Sequence, residues 1–234
     1  MIRIAVLAAL VAAPVAAAAP QIEGAQAPSA SGTHLFIAPS GEPFRAGLDE
    51  PYPVAKWFAG ADADGDGKLT LAEFVADGDR WFKALDSSRN GVLEAAEIDA
   101  YEAAVLAPLT GRPGMGAPAA GAGAGGPPPG GGRPKRGEAP PRGAGAYGLI
   151  DIPHPIKAAD QDMNSRVTPG EYHKVMTSRF EMLDLAAAEK RAKAKKGSAL
   201  PTGELLLAEL PKGRAQLQAE KQAQERAESA TKRR

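Results

Sequence analysis

Apolar side chains are unevenly spaced along this chain, and their spacing divides it. The first twenty residues set Arg3 ahead of an apolar run at 4–13 and then small residues interrupted by Pro14. That is the layout of an export signal, with cleavage expected after Ala18, where Ala16 and Ala18 satisfy the small-x-small rule. Residues 19–47 mix Ala, Pro, Ser and Gly around one apolar island at 35–37, and with no sustained period they read as a mostly unstructured leader. From 48 to 106 the pattern changes: Trp57, Phe58, Phe74, Trp81, Phe82 and Tyr101 recur among carboxylates at helix-compatible spacing. Residues 107–148 are dominated by Gly, Pro and Ala and read as a disordered linker. A second helical segment is expected over 149–210, and 211–234 is a charged, helix-prone tail with almost no apolar face. The expected fold is therefore all-α, with two helix-loop-helix pairs on either side of the linker.

Composition narrows the chemistry. The 234 residues contain no cysteine, which excludes disulfides, thiolate metal sites, c-type haem attachment and a cysteine nucleophile. It also excludes lipid attachment through a cysteine after the signal. Any metal must be held by oxygen or histidine. The 28 basic and 28 acidic residues cancel, but they are segregated. Residues 49–102 carry 13 acidic and 5 basic side chains, whereas 107–148 carry 5 basic and 1 acidic. The end of the chain, 186–234, is basic again, with 12 against 6.

The acidic surplus has a pattern. Residues 62–73 read DADGDGKLTLAE, with carboxylates at positions 1, 3, 5 and 12 of a twelve-residue stretch and Gly at 6. Calcium takes six to eight hard oxygen ligands, so a turn of this length can wrap the ion. Asp62, Asp64 and Asp66 offer carboxylates, Lys68 its backbone carbonyl, Thr70 a direct or water-bridged oxygen, and Glu73 two oxygens that close the cage. Gly67 supplies the left-handed turn. The template recurs at 86–97, through Asp86, Ser88, Asn90, the Val92 carbonyl, Glu94 and Glu97. It recurs again at 160–171, through Asp160, Asp162, Asn164, the Arg166 carbonyl, Thr168 and Glu171. Ser165 replaces the glycine in this third loop, and forcing it left-handed costs roughly 1 kcal/mol. Loop one should bind calcium most tightly.

Each loop is preceded, four residues before its first Asp, by an apolar side chain: Phe58, Phe82 and Ile156. Phe180 stands in the same relation to Asp184, which follows Asp160 by the same 24 residues that separate Asp86 from Asp62. A fourth hand should begin at Asp184, but a basic insertion replaces its ligands. Residues 198–205 then echo 165–172, which sets Glu204 level with Glu171. No calcium is expected there.

These motifs resemble those of bacterial secreted EF-hand proteins with closely spaced loop pairs, over roughly half of the chain. The resemblance implies helix-loop-helix units that bind Ca2+, and no unique biological role. Only 12 residues separate loops one and two. If that stretch is a single helix, the rise of ~1.5 Å per residue sets the loops about 20 Å apart, so each must pair with a loop from the second half. If Gly78 breaks it, each half is a self-contained pair.

Other signals carry less. His34, His154 and His173 have no partner at helical spacing and read as ordinary histidines rather than zinc ligands. The cationic run in the linker lacks interleaved aromatic residues, so no nucleic-acid partner is expected. Met163, Met176 and Met182 are a weak echo of sensor methionines. No catalytic constellation remains once the carboxylates are assigned to the loops, and the chain is not expected to be an enzyme. The expectation is an exported, periplasmic or extracellular calcium-binding protein with no transmembrane anchor after cleavage, acting as a sensor or adaptor for an envelope partner. Two alternatives stand beside it: a buffer that opens little, and a protein whose basic linker binds an anionic envelope surface.

Overall fold

A computed structural model describes residues 33–106, 109, 143–195 and 199–232. The expected signal and most of the linker lie outside the described residues. The chain order is β1 (Thr33–Ile37), β2 (Pro43–Gly47), α1 (Val54–Ala61), β3 (Lys68–Thr70), α2 (Leu71–Leu85) and α3 (Ala95–Tyr101). A π-helical turn at Glu102–Leu106 follows, and then α4 (Pro169–Lys195), β4 (Glu204–Leu206) and α5 (Arg214–Lys232).

The fold is mixed α/β, which corrects the all-α expectation: two small antiparallel sheets, β1-β2 and β3-β4, accompany the helices. The first lies in the stretch read as an unstructured leader. Its inner residues Phe36 and Ile37 are buried, and its turn is held by side chains far along the chain. Tyr101 donates to Gly41 O at 2.8 Å, Tyr172 to Ser40 O at 2.6 Å, and the buried Arg179 to Pro39 O at 2.6 Å. Such anchors are invisible to a local reading of composition. The far end of the expected linker is also packed, since Ala144 is buried and Ile37 N donates to Tyr147 O at 3.2 Å.

α1 buries Val54, Trp57, Phe58 and Ala61, one stripe at helical spacing. α2 is continuous through Gly78 and buries Phe74, Val75, Gly78, Trp81, Phe82 and Leu85. Gly78 is needed for close approach rather than for a break. A Cβ there would lie 2.9 Å from both Cγ and Cε of Met176 on α4, so the two long helices touch backbone to side chain at this point. Both halves of the chain thereby contribute to one core, rather than forming two separate pairs.

With α2 unbroken, its ends carry loops one and two away from each other. Loop one pairs through β3 with β4, Leu69 opposite Leu205. Loop two pairs with loop three, where Leu93 and Val167 exchange N–H···O bonds of 2.9 Å in both directions. This is the cross-paired arrangement, in which each half supplies one loop to each pair.

Candidate metal centre

The loops at 62–73, 86–97 and 160–171 are built alike. In loop one Asp62 accepts from Gly65 N at 2.8 Å and Gly67 N at 2.9 Å. In loop two Asp86 accepts from Asn90 N at 3.1 Å and Gly91 N at 2.8 Å. In loop three Asp160 accepts from Asn164 N at 3.1 Å and Ser165 N at 2.9 Å. The first carboxylate thus gathers the amides around the turn, so each loop is curled before any ion is considered. Further turns are fixed by Asp64 accepting from Asp66 N (3.1 Å), Asp66 from Lys68 N (2.8 Å), Asn90 from Val92 N (2.8 Å) and Asn164 from Arg166 N (2.8 Å).

The last residue of each loop closes it from the helix that follows. Glu73 accepts from Ala63 N at 3.0 Å and from Thr70 N at 2.9 Å, completing a capping box at the start of α2. Glu97 accepts from Ser88 N and Glu94 N, both at 3.0 Å, and Glu171 from Gln161 N at 3.3 Å and Thr168 N at 2.9 Å. One carboxylate therefore ties the two ends of each loop together. Hydrogen bonds from Thr70 hold Glu73 below the usual carboxylate range, and those from Thr168 do the same for Glu171. Burial pulls Glu97 the other way, but the donors Ser88, Glu94 and Ser87 outweigh it and leave its carboxyl lowered.

Ligand atoms of Asp62, Asp64 and Asp66 lie within 4.8 Å of one another, as do those of Asp160, Asp162 and Glu171. Such convergence of like charges is unfavourable without a cation and suits a hard divalent ion. Loop two interposes the neutral Ser88 and Asn90, the former donating to Asp86 at 3.2 Å. Its Glu94 is engaged by Arg166 of loop three at 3.3 Å, so the position-9 carboxylate of one loop meets the position-7 residue of its neighbour.

Backbone conformation separates the loops further. The turn residue is left-handed in all three, at φ 83° for Gly67, 80° for Gly91 and 64° for Ser165. The fourth position is left-handed as well: Gly65 at 73°, Arg89 at 56° and Met163 at 58°. Sequence reading missed this second demand, although the glycine at 65 was its signal. Loop one meets both demands with glycine, loop two one of them, and loop three neither.

The fourth loop departs from expectation in register. Gly203, at φ 76°, is the turn residue, and Leu205 is the buried pairing residue. Glu204 is therefore at position 7 and not at the closing position, where Glu209 stands instead. Glu204 meets Lys68 of loop one at 3.0 Å.

Among the described residues, no helix is long and apolar enough to cross a membrane. Residues 54–76, comprising α1, loop one and the first turns of α2, match the family model described as EF hand. No curated protein and no solved structure matches the chain. Residues 54–76 are thus similar to an EF hand, and with the Asp62, Asp64 and Asp66 cluster they have the potential to bind calcium.

Proposed function

We propose that this protein binds calcium through three loops, 62–73, 86–97 and 160–171, and that the ions stabilise one closed core in an exported protein. The carrying observation is the repeated construction just described. In each loop a first Asp gathers the turn amides and a twelfth-position Glu ties the ends together. When bound, calcium would supply charge neutralisation, with Asp62, Asp64, Asp66 and Glu73 its carboxylate ligands in loop one, Asp86, Glu94 and Glu97 in loop two, and Asp160, Asp162 and Glu171 in loop three. The expected order of affinity is loop one first and loop three last, from carboxylate number and from backbone strain. The signal-like first eighteen residues support export, and affinities of order 10⁻⁴ to 10⁻³ M would suit extracellular calcium.

A closed calcium-stabilised module is favoured over a sensor that opens. The apolar surface that opening would uncover already holds the β1-β2 hairpin, whose turn is seated on Tyr101, Tyr172 and Arg179. No catalytic role is proposed. Calorimetric titration of the full chain should give three calcium ions. Glu73→Gln, Glu97→Gln and Glu171→Gln should each abolish or weaken one binding event by at least about tenfold, equivalent to about 1.4 kcal/mol. Unchanged titrations in all three variants would refute the assignment. An apolar-surface dye whose emission rises on calcium addition would favour an opening sensor over the closed module.

A further inference from the structure

The fourth loop keeps the frame of the other three while losing their ligands. Asp184 accepts from Thr202 N at 3.1 Å and Gly203 N at 2.7 Å, the same two turn amides that Asp86 and Asp160 hold in their loops. Gly203 is left-handed, and Leu205 lies opposite Leu69. Six residues after Gly203 comes Glu209, as Glu73 follows Gly67 and Glu97 follows Gly91. What differs is the path between: Gly203 comes 19 residues after Asp184 rather than the five that separate position 1 from the turn residue elsewhere, an insertion of 14. α1 and α2 end at their loop Asp, whereas α4 runs through Asp184 and on to Lys195.

That continuation brings Arg191 back. It lies seven residues beyond Asp184, two turns on, and so on the same helical face. Its Nη1 donates to Glu209 Oε2 at 2.5 Å, and its Nη2 lies 3.5 Å from Asp184 Oδ1 and donates to Leu200 O at 3.2 Å. The three side chains are largely sequestered, with exposures of 15% for Arg191, 5% for Asp184 and 20% for Glu209. Sequestered carboxylates are costly unless paired and hydrogen-bonded, and a planar guanidinium can serve two of them and a carbonyl at once. Lys190 supports the same turn by donating to Ala208 O at 2.6 Å. The site does not suit calcium. Position 9 is Leu206, which offers no side-chain oxygen, and the Thr202 hydroxyl is turned to Glu204 O at 3.0 Å.

We propose that the Arg191 guanidinium is the resident cation of the fourth loop, bridging its first and twelfth carboxylates so that this loop, and with it the β3-β4 pair, is closed without metal. Loop one then docks against a partner that is already folded, whatever the state of loops one to three.

The test is amide hydrogen exchange on the full chain in excess chelator, which separates this proposal from calcium binding itself. Arg191→Met should accelerate exchange over 68–70 and 204–206 at least tenfold while changing Leu93 and Val167 less than threefold. Arg191→Lys should fall between wild type and Arg191→Met. Glu209→Gln should accelerate the same strands, and much less so when Arg191 is already Met, because the two act as one pair. The proposal is overturned if Arg191→Met leaves β3-β4 exchange within twofold of wild type, or if the two effects simply add. Should Arg191→Met fail to fold, Glu209→Gln decides alone: unchanged β3-β4 exchange in that variant overturns it.

Discussion

The two loop pairs join the same two long helices at opposite ends, yet they are held differently. Loops two and three both carry the proposed calcium ligands, and they meet through Leu93 and Val167 with Arg166 and Glu94 as a bridge. In the other pair, loop one carries four carboxylates and its partner carries an arginine between two. The backbone outcome is nevertheless the same, a short antiparallel contact with buried aliphatics at its centre. The difference teaches that one pairing geometry serves both a loop whose first and last carboxylates face an arginine of the same chain and loops without such an arginine.

The sharpest way to break this equivalence is through the buried centres. Leu205→Ala should cost about 2–5 kcal/mol, the range for truncating a buried leucine, because Leu205 and Leu69 are both fully enclosed. Urea denaturation of this variant beside Val167→Ala measures how much each pair supports the common core, and the leucine truncation should be the more damaging. A change between the pairs should strike both together. Gly78→Leu drives a side chain into Met176 and should destabilise by about 1–3 kcal/mol, with partial recovery on adding Met176→Ala. Equal loss of exchange protection at both loop pairs is the expected readout.

A smaller effect tunes the ligand-bearing loops against each other. Ser165→Gly removes a left-handed serine and should stabilise loop three by about 1 kcal/mol, and Met163→Gly should act in the same direction. Calcium titration should then bring loop three closer to loop one, while Gly67→Ser moves loop one the opposite way. The last effect is a loss of stability confined to acid and absent at neutral pH. Burial, assisted by the Lys157 charge, pushes His154 down to about 4, against weaker opposing pulls from Glu102 and Asp99. The folded protein thus refuses a proton that the unfolded chain accepts near pH 6.5. This contribution is complete above about pH 6.5 and is lost as pH falls toward 4. An NMR titration should place the His154 midpoint near 4, and His154→Gln should flatten stability across that interval.

How much was legible follows from range. The turn pattern at 62–73, 86–97 and 160–171 is local, because each loop's hydrogen-bond partners lie within a dozen residues, whereas the helical rise gave cross-pairing only on condition that α2 run unbroken through Gly78, which the sequence left open. The hairpin at 33–47 was not legible: its turn is ordered by Tyr172 and Arg179, and nothing in Pro43–Gly47 alternates. The fourth loop was found through Phe180 and Asp184 but placed out of register. Matching Gly203-Glu204 to Gly170-Glu171 aligned two glycines with different tasks, since Gly170 sits in the first turn of α4 while Gly203 makes the loop turn. Setting residues 202–209, TGELLLAE, against 66–73, DGKLTLAE, gives the observed register. Arg191 lay beyond any such matching, because its role exists only once α4 runs past the loop's first residue.

The seat of the β1-β2 turn also bears on when the molecule can be finished. Ser40 is held by a residue 132 positions away and Pro39 by one 140 away, so the first sheet of the described residues is secured by α4, far along the chain. Contacts of such span close slowly, because the intervening chain loses its freedom before any contact is gained. A ribosome would have released α1, loop one, α2 and loop two well before Tyr172 and Arg179, which seat Ser40 and Pro39, were made. Folding order and sequence order therefore run opposite ways at this end of the protein, and truncation within α4 should leave residues 33–47 without a stable position.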